Sequence, residues 1–148
     1  MDTPAHQGIK AQRLQWIGNS GKIITMGSDD FNERQYAVFD TRDISKPLTL
    51  KKLDNEKLTS TMYYDDSINT VYVCNKGANF TQFFYYHSGD STLQLIDKYS
   101  GKESQLGMTF MPKRNVDFMA NELNRAVRLT KTTAEYISFK VPRRSGMF

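Results

Sequence analysis

The sequence predicts an all-β protein built from repeated units of four short strands. Two successive spans of the chain each contain four runs of alternating or wholly apolar residues, separated by turns rich in glycine, asparagine and aspartate. Apolar positions of similar type recur at a constant interval: Trp16 and Tyr64 are 48 positions apart, and Phe39 and Phe84 are 45 apart. A period of this size, with four short strands per unit, is typical of β-propellers.

The first unit is predicted to contain four strands, and their patterns differ with their place in the sheet. Residues 22–26 are almost continuously apolar, which indicates a strand buried on both faces. Residues 48–53 are less apolar and carry Lys51 and Lys52, as expected for an outer edge strand that lysines protect from further pairing. The other two strands are predicted at residues 13–17 and 35–39.

The second unit repeats this arrangement, with strands predicted at residues 61–64, 70–74, 80–86 and 92–97. The single cysteine, Cys74, lies in an apolar strand of this unit and is interpreted as a small buried apolar residue. With one cysteine, no internal disulfide can form, so a reducing compartment is expected.

The third unit is predicted to begin at Gln105. Its first strand places Leu106, Met108 and Phe110 on one face and ends at Pro112, which lacks the N–H that a sheet requires. Residues 121–131 fit either helical or alternating spacing, and their place in the repeat favours a strand, the third of this unit. A last strand is predicted at residues 134–141.

The charge of the chain is concentrated near its end. The net charge is +4, and the residues from Lys113 onward contain 8 basic and 3 acidic side chains. A basic end on a nearly neutral body indicates an acidic partner surface, such as actin, an anionic membrane or a nucleic acid.

Several kinds of chemistry are not indicated. The two histidines, His6 and His87, each lie in a predicted turn, without further residues at a metal-binding spacing. The sequence contains neither a glycine-rich phosphate loop nor a hydrolase nucleophile motif, so no enzyme and no cofactor are predicted.

No apolar run approaches the roughly 20 residues of a membrane-spanning helix. Residues 1–10 lack the layout of a signal peptide, and a soluble intracellular protein is expected.

Blocks of residues along nearly the whole chain resemble the coronin family. The residues from Gly27 to Asp30 are more acidic than the usual coronin turn, and Phe39 stands where a tryptophan is common. The matching blocks occur in order at family-like spacing and are Asn32-Glu33-Arg34-Gln35, residues 71–77, residues 100–105, Met111-Pro112-Lys113-Arg114 with Asp117, Asn121-Glu122-Leu123, and Val141-Pro142-Arg143-Arg144-Ser145.

The coronin resemblance implies a WD-repeat β-propeller that binds actin filaments as a non-catalytic module in the cytoplasm, at the actin cytoskeleton, with other cytoskeletal proteins as further partners. Coronin propellers have seven blades, and this chain resembles the last part of the ring. It is expected to form a partial propeller: about two complete four-stranded blades (residues 6–57 and 58–100), then a closing blade element with a basic C-terminal extension (residues 101–148). Such an open stack is expected to need the missing blades, self-association or a covering partner.

The candidate contacts with actin or another partner are Lys113, Arg114, Arg143 and Arg144. An alternative for Lys113 and Arg114 is that they pair with Asp117, Glu122 or backbone carbonyls and hold the end of the chain in place. Arg34, which lies beside Glu33 before a predicted strand, is interpreted as structural.

Two other functions remain open at the level of sequence. One is a general protein–protein interaction scaffold without direct actin contact. The other is a nucleic-acid-binding module in which aromatic residues between Phe80 and Tyr86 stack on bases. The repeat places these aromatic residues on a strand inside a blade, so core packing is favoured and no nucleic acid is expected.

Overall fold

The structure is a computed structural model, and it describes residues 2–141. These residues form three antiparallel sheets. Sheet 1 contains β1 (Arg13–Trp16), β2 (Lys22–Ser28), β3 (Arg34–Asp40) and β4 (Thr49–Lys52). Sheet 2 contains β5 (Ser60–Asp65), β6 (Thr70–Asn75), β7 (Phe80–His87) and β8 (Thr92–Ser100). Sheet 3 contains β9 (Gly107–Phe110), β10 (Glu122–Leu129) and β11 (Ala134–Lys140).

Each sheet is a meander in which strands that follow one another in sequence are also neighbours. The first strands of the sheets contact one another, β1 with β5 and β5 with β9, while β4 and β8 lie at the outer edges of their sheets. This is the arrangement of propeller blades around an axis. The strands predicted from the apolar runs are confirmed, including the edge position of β4.

Polar side chains and glycine close the short turns between strands. Between β2 and β3, a carboxylate oxygen of Asp29 accepts hydrogen bonds from the amides of Phe31 (2.9 Å) and Glu33 (2.8 Å). Between β6 and β7, Gly77 has a φ of 86°, a conformation that favours glycine over any residue with a side chain. These residues close short turns and thereby set the register of the strands.

Sheets 1 and 2 enclose the main apolar core between their facing surfaces. Sheet 1 contributes side chains from its two central strands and Ile17, which follows β1, and sheet 2 contributes side chains from β6 and β7. The Tyr36 hydroxyl also accepts a hydrogen bond from the backbone amide of Leu93, at 3.0 Å, which ties β3 to β8. The buried residues of this core are Ile17, Ile24, Met26, Tyr36, Val38, Val71, Val73, Phe84 and Tyr86.

A buried arginine joins the same two sheets. The Arg34 guanidinium, at the start of β3, forms an ion pair with Asp54, with Nε 2.8 Å from Oδ1. It also donates to three side chains of sheet 2, those of Ser60, Asn75 and Gln82. Because all of these partners converge on one buried cation, the interpretation of Arg34 as a structural residue is confirmed.

Sheets 2 and 3 meet through aromatic rings. The rings of Tyr63 and Phe110 stack with centroids 4.3 Å apart, and Tyr72 lies 4.7 Å from Phe110. Phe139 of β11 meets Phe83 edge to face at 5.3 Å. Such pairs add about 0.5–1.5 kcal/mol each beyond the area they bury. Phe83 and the core residue Phe84 are thus occupied in the two sheet interfaces, as the core-packing interpretation of residues 80–86 predicted.

Sheet 3 differs from the prediction in two respects. Residues 122–129 form a strand, as the repeat favoured, but β10 is the second strand of this sheet and pairs with β9 and β11. Its predicted position as third strand was wrong, because the residues after β9 form an irregular connection and contribute no strand. Leu106 precedes β9 and is exposed, so the buried face of this strand contains only Met108 and Phe110, which are half-buried.

Candidate interaction surface

The longest connection at one end of the stack is residues 111–121, between β9 and β10, which we call the β9–β10 loop. It contains two 3₁₀ turns, Lys113–Asn115 and Phe118–Ala120. The backbone amide of Val141 donates to the carbonyl of Asn121 at 3.1 Å. The chain therefore leaves β11 beside this loop, and in the sequence Arg143 and Arg144 follow two and three positions later.

The β9–β10 loop is held in place at several points. Within the loop, the side chain of Val116 is buried. The Asp117 carboxylate caps the second 3₁₀ turn by accepting from the amide of Ala120, at 3.2 Å. Glu122 accepts from the amide of Asp117 at 2.7 Å and from the Arg125 guanidinium at 2.9 and 2.8 Å. A loop fixed in this way presents its exposed side chains at low entropic cost on binding.

Lys113 has mainly internal partners. Its ammonium group forms an ion pair with the buried carboxylate of Asp65, at the end of β5, and donates to the backbone carbonyl of Leu123. Asp65 also accepts from the side-chain amide of Asn124, at 3.1 Å. Lys113 therefore links sheet 2 to sheet 3. Its pairing with a backbone carbonyl was one of the alternatives predicted for it, whereas Asp65 as its acidic partner was not foreseen.

Arg114 is exposed and forms no ion pair with any residue between 2 and 141. It shares the loop with two large apolar side chains, Phe118, which is 61% exposed, and Met119, which is 86% exposed. Aromatic residues, methionine and arginine are the side chains enriched in protein–protein interfaces. The loop thus combines an exposed cation and exposed apolar side chains on a fixed backbone.

Of the four predicted contact residues, the structure places Lys113 and Arg114 on the β9–β10 loop, and Arg143 and Arg144 lie outside the described residues. Sequence reasoning did not single out Phe118 and Met119. The available signal was a pair of large apolar residues between Asp117 and Asn121, in a segment with no strand alternation. Large apolar residues in a polar turn are expected to be exposed, because turns lie on the surface.

Glu122 makes the loop sensitive to acid. The Arg125 guanidinium, followed by other hydrogen bonds, lowers the pKa of Glu122 to about 2 from its usual 4.5. A lowered folded-state pKa contributes stability that is present above pH 4.5 and is lost as the pH falls from about 4.5 to about 2.

We expect Glu122→Gln to be less stable than the natural chain at neutral pH, and the difference to shrink as the pH falls through this range. Thermal unfolding at pH 7, 4.5 and 3 checks this expectation, with Glu103→Gln, an exposed glutamate outside the loop, as the control. A stability difference that stays constant with pH would contradict the assigned role of the ion pair.

Two other titratable groups, Cys74 and His6, are buried away from this surface. Burial raises the pKa of the Cys74 thiol to about 12, so it is not a reactive nucleophile at neutral pH. Burial also lowers the pKa of His6. Because the Gln35 amide nitrogen can only donate to His6 Nδ1 (3.0 Å), Nε2 carries the proton and donates to the Thr25 hydroxyl at 2.9 Å. His6 therefore has a structural role on sheet 1.

Two further observations concern residues 2–141. Histidine, cysteine and acidic side chains do not come together there in a group of three or more that could hold a metal ion. None of the helical segments in this part of the chain has the length and apolar character needed to cross a bilayer.

Comparison with known proteins identifies the type of fold. No protein-family model matches the chain. Among solved structures, it is similar to the WD40 domain from Toxoplasma gondii coronin, with a TM-score of 0.85 and 32% sequence identity. The match covers 95% of this chain and 37% of that one, so the chain spans little more than a third of the protein that it matches. The coronin resemblance of the sequence motifs is thereby confirmed, and the chain is a coronin-like, partial WD-repeat β-propeller.

Proposed function

We propose that this chain is a non-catalytic binding module of the actin cytoskeleton that contacts actin filaments through the β9–β10 loop. A WD-repeat fold of this type supports protein interactions in general. The observation that carries the narrower proposal is the exposed guanidinium of Arg114, which forms no ion pair within residues 2–141, on a loop that also exposes Phe118 and is fixed by buried contacts. The proposal extends to Arg143 and Arg144 and to a cytoplasmic location.

Charge complementarity explains why an actin filament suits this surface. Actin is acidic, and a basic patch at the rim of an interface increases the rate of encounter and orients the partner. Arg114 supplies an exposed cation that forms no ion pair within the described part of the chain. Phe118 and Met119 supply apolar area, which contributes most when it is fully desolvated at the centre of an interface.

Co-sedimentation of the chain with actin filaments over a salt series tests the proposal. Lys113 is unsuitable for mutation, because loss of its ion pair with Asp65 would disturb the junction of sheets 2 and 3. Arg114→Glu is the better variant, since Arg114 is exposed and forms no ion pair within residues 2–141. We expect salt-sensitive binding of the natural chain and about tenfold weaker binding of the variant, which corresponds to about 1.4 kcal/mol.

Lys76→Glu is the matched control. Lys76 is exposed in the turn between β6 and β7, at the opposite end of the stack, and its substitution changes the net charge by the same amount. Equal weakening by both variants would show that only net charge matters and would contradict the assignment to the β9–β10 loop. A folded natural chain that does not pellet would contradict actin binding.

The second candidate function is a protein interaction scaffold without direct actin contact. The exposure of Phe118 and Met119 favours it, because apolar anchors suit many protein partners and are not specific to an acidic filament. Binding to a partner other than actin that is lost in Phe118→Ala and retained in Arg114→Glu would support this candidate.

A further inference from the structure

The outer edge of sheet 2, the middle sheet of the three, is formed by β8 (Thr92–Ser100). With nine residues, β8 is the longest strand among the described residues. Leu95 is 55% exposed and Ile96 is 57% exposed, so the strand also presents apolar side chains to solvent. A long edge strand with exposed apolar residues is a template on which a strand of another molecule can pair. A feature that prevents such pairing is therefore expected on this edge.

The outer edge of sheet 1, β4 (Thr49–Lys52), has the common forms of protection. It has only four residues, is preceded by Pro47 and carries the exposed residues Lys51 and Lys52. Short length, proline and lysine all oppose the addition of a further strand. In contrast, β8 contains no proline and a single lysine, Lys98. The protection of β8 therefore has another source.

A β-bulge in β8 interrupts the regular order of its backbone groups. Leu95 pairs with Phe84 and Asp97 pairs with Phe83, so Ile96 is an extra residue without a partner on β7. Backbone amides alternate between the two sides of a strand, and one extra residue shifts this alternation by one position. A regular strand added along the whole of β8 would therefore lose its register at Ile96.

On each side of the bulge, a side chain occupies an amide of the outer edge. Before the bulge, the amide of Leu93 donates to the Tyr36 hydroxyl at 3.0 Å. After the bulge, the amide of Lys98 donates to Oδ1 of Asp97 at 2.7 Å. Leu93 and Lys98 are five positions apart, and the extra residue of the bulge brings their amides to the same side of the strand. Both acceptors thus lie where the carbonyls of an added strand would bind.

We propose that Tyr36, Asp97 and the bulge at Ile96 close the outer edge of β8 to strand addition. Removal of both acceptors then allows β8 to pair, on one side of the bulge, with β8 of a second copy of the chain. An amide that already has a hydrogen bond gains little from a new strand, whereas an amide that has lost its acceptor gains a partner. This proposal does not depend on actin binding, because the β9–β10 loop is not part of this edge.

Cysteine cross-linking tests the proposal on the full chain. Leu95→Cys places a reactive thiol on β8, whereas the natural Cys74 is buried and burial raises its pKa to about 12. A short bismaleimide then joins two copies that meet at β8. We expect at least about tenfold more cross-linked dimer in the Tyr36→Phe/Asp97→Ala background than in the natural background. Leu50→Cys is the control position, since Leu50 is 50% exposed on β4, and equal cross-linking is expected there in both backgrounds.

Two further variants separate the hydrogen bonds from charge and from stability. Asp97→Asn removes the charge but keeps an oxygen that can accept from the Lys98 amide, so this variant is expected to cross-link like the natural chain. Tyr86→Phe removes a buried hydroxyl that donates to the Ser91 side chain, at 3.3 Å, instead of accepting from an amide of β8. It replaces Tyr36→Phe as the control for lost stability. Circular dichroism and thermal unfolding establish that each variant is folded.

Three results would overturn the proposal. The first is a folded Tyr36→Phe/Asp97→Ala chain that cross-links through Leu95→Cys no more than the natural background does. The second is equal cross-linking in Asp97→Asn and Asp97→Ala, which would show that charge, and not the occupied amide, closes the edge. The third is an equal gain in cross-linking at Leu50→Cys, which would show that the copies associate without any preference for β8.

Discussion

Replacement of Arg34 by alanine is expected to destabilise the chain by about 3–5 kcal/mol. The Arg34 guanidinium is buried between sheets 1 and 2 and is the common partner of Asp54 and of three polar side chains of sheet 2. Its removal leaves the Asp54 carboxylate and the side-chain oxygens of Asn75 and Gln82 without this donor. Buried acceptors that lose their partner carry the full cost of desolvation, since water does not replace the lost hydrogen bonds.

Urea unfolding of the natural chain and of Arg34→Ala measures this effect. Arg42→Ala is the matched control, because Arg42 also pairs with an aspartate, Asp40, but its side chain is 87% exposed. Exposed ion pairs are screened by water, and little or no change in stability is expected for this control. Arg34→Lys keeps the charge but cannot reproduce the forked hydrogen bonds, so an intermediate loss is expected. Similar small losses for Arg34→Ala and Arg42→Ala would contradict the role of Arg34 as the link between the sheets.

Phe84→Ala is expected to cost about 3–5 kcal/mol, the range for removal of a large aromatic ring from a packed core. Phe84 is buried with Val71 and Tyr86 in the core between sheets 1 and 2. The substitution removes apolar contact area and leaves a cavity that rigid neighbouring strands cannot fill.

The adjacent residue on the same strand is the control for this prediction. Tyr85 points to the opposite face of β7 and is partly exposed, so Tyr85→Ala is expected to cost less than about 1 kcal/mol. The same two variants test the nucleic-acid alternative, in which both rings would stack on bases. Equal, small losses of stability for both variants would contradict the core assignment and reopen that alternative.

The strands and their faces were largely predictable from the sequence, because burial and strand geometry act locally. Alternation with period two appears directly in residues such as Ile137 and Phe139, and both are at least half-buried on one face of β11. The continuous apolar run of β2 correctly indicated burial on both faces. The constant spacing of Trp16 and Tyr64 was also informative, since equivalent residues of two sheets have the same cross-strand register.

The candidate interaction surface was predictable only in part. Sequence reasoning identified the segment that contains Lys113 and Arg114. It gave both residues the same two alternative roles, contact with a partner or pairing within the chain. The structure separates them, because Asp65 is 48 positions before Lys113 and approaches it only through the packing of sheet 2 against sheet 3. Phe118 was missed for a related reason: the exposure of an apolar side chain depends on which sheets surround it.

The sequence alone therefore determined the class of the fold, the strands and the coronin resemblance, all of which depend on local periodicity or on short motifs. The tertiary structure alone decided which charges are paired and which loop is fixed. The physical reason is the range of the interactions. Strand formation is governed by neighbours within a few residues, whereas the contacts of Arg34 and Lys113 and the exposure of Phe118 depend on sheets that are distant in sequence and close in space.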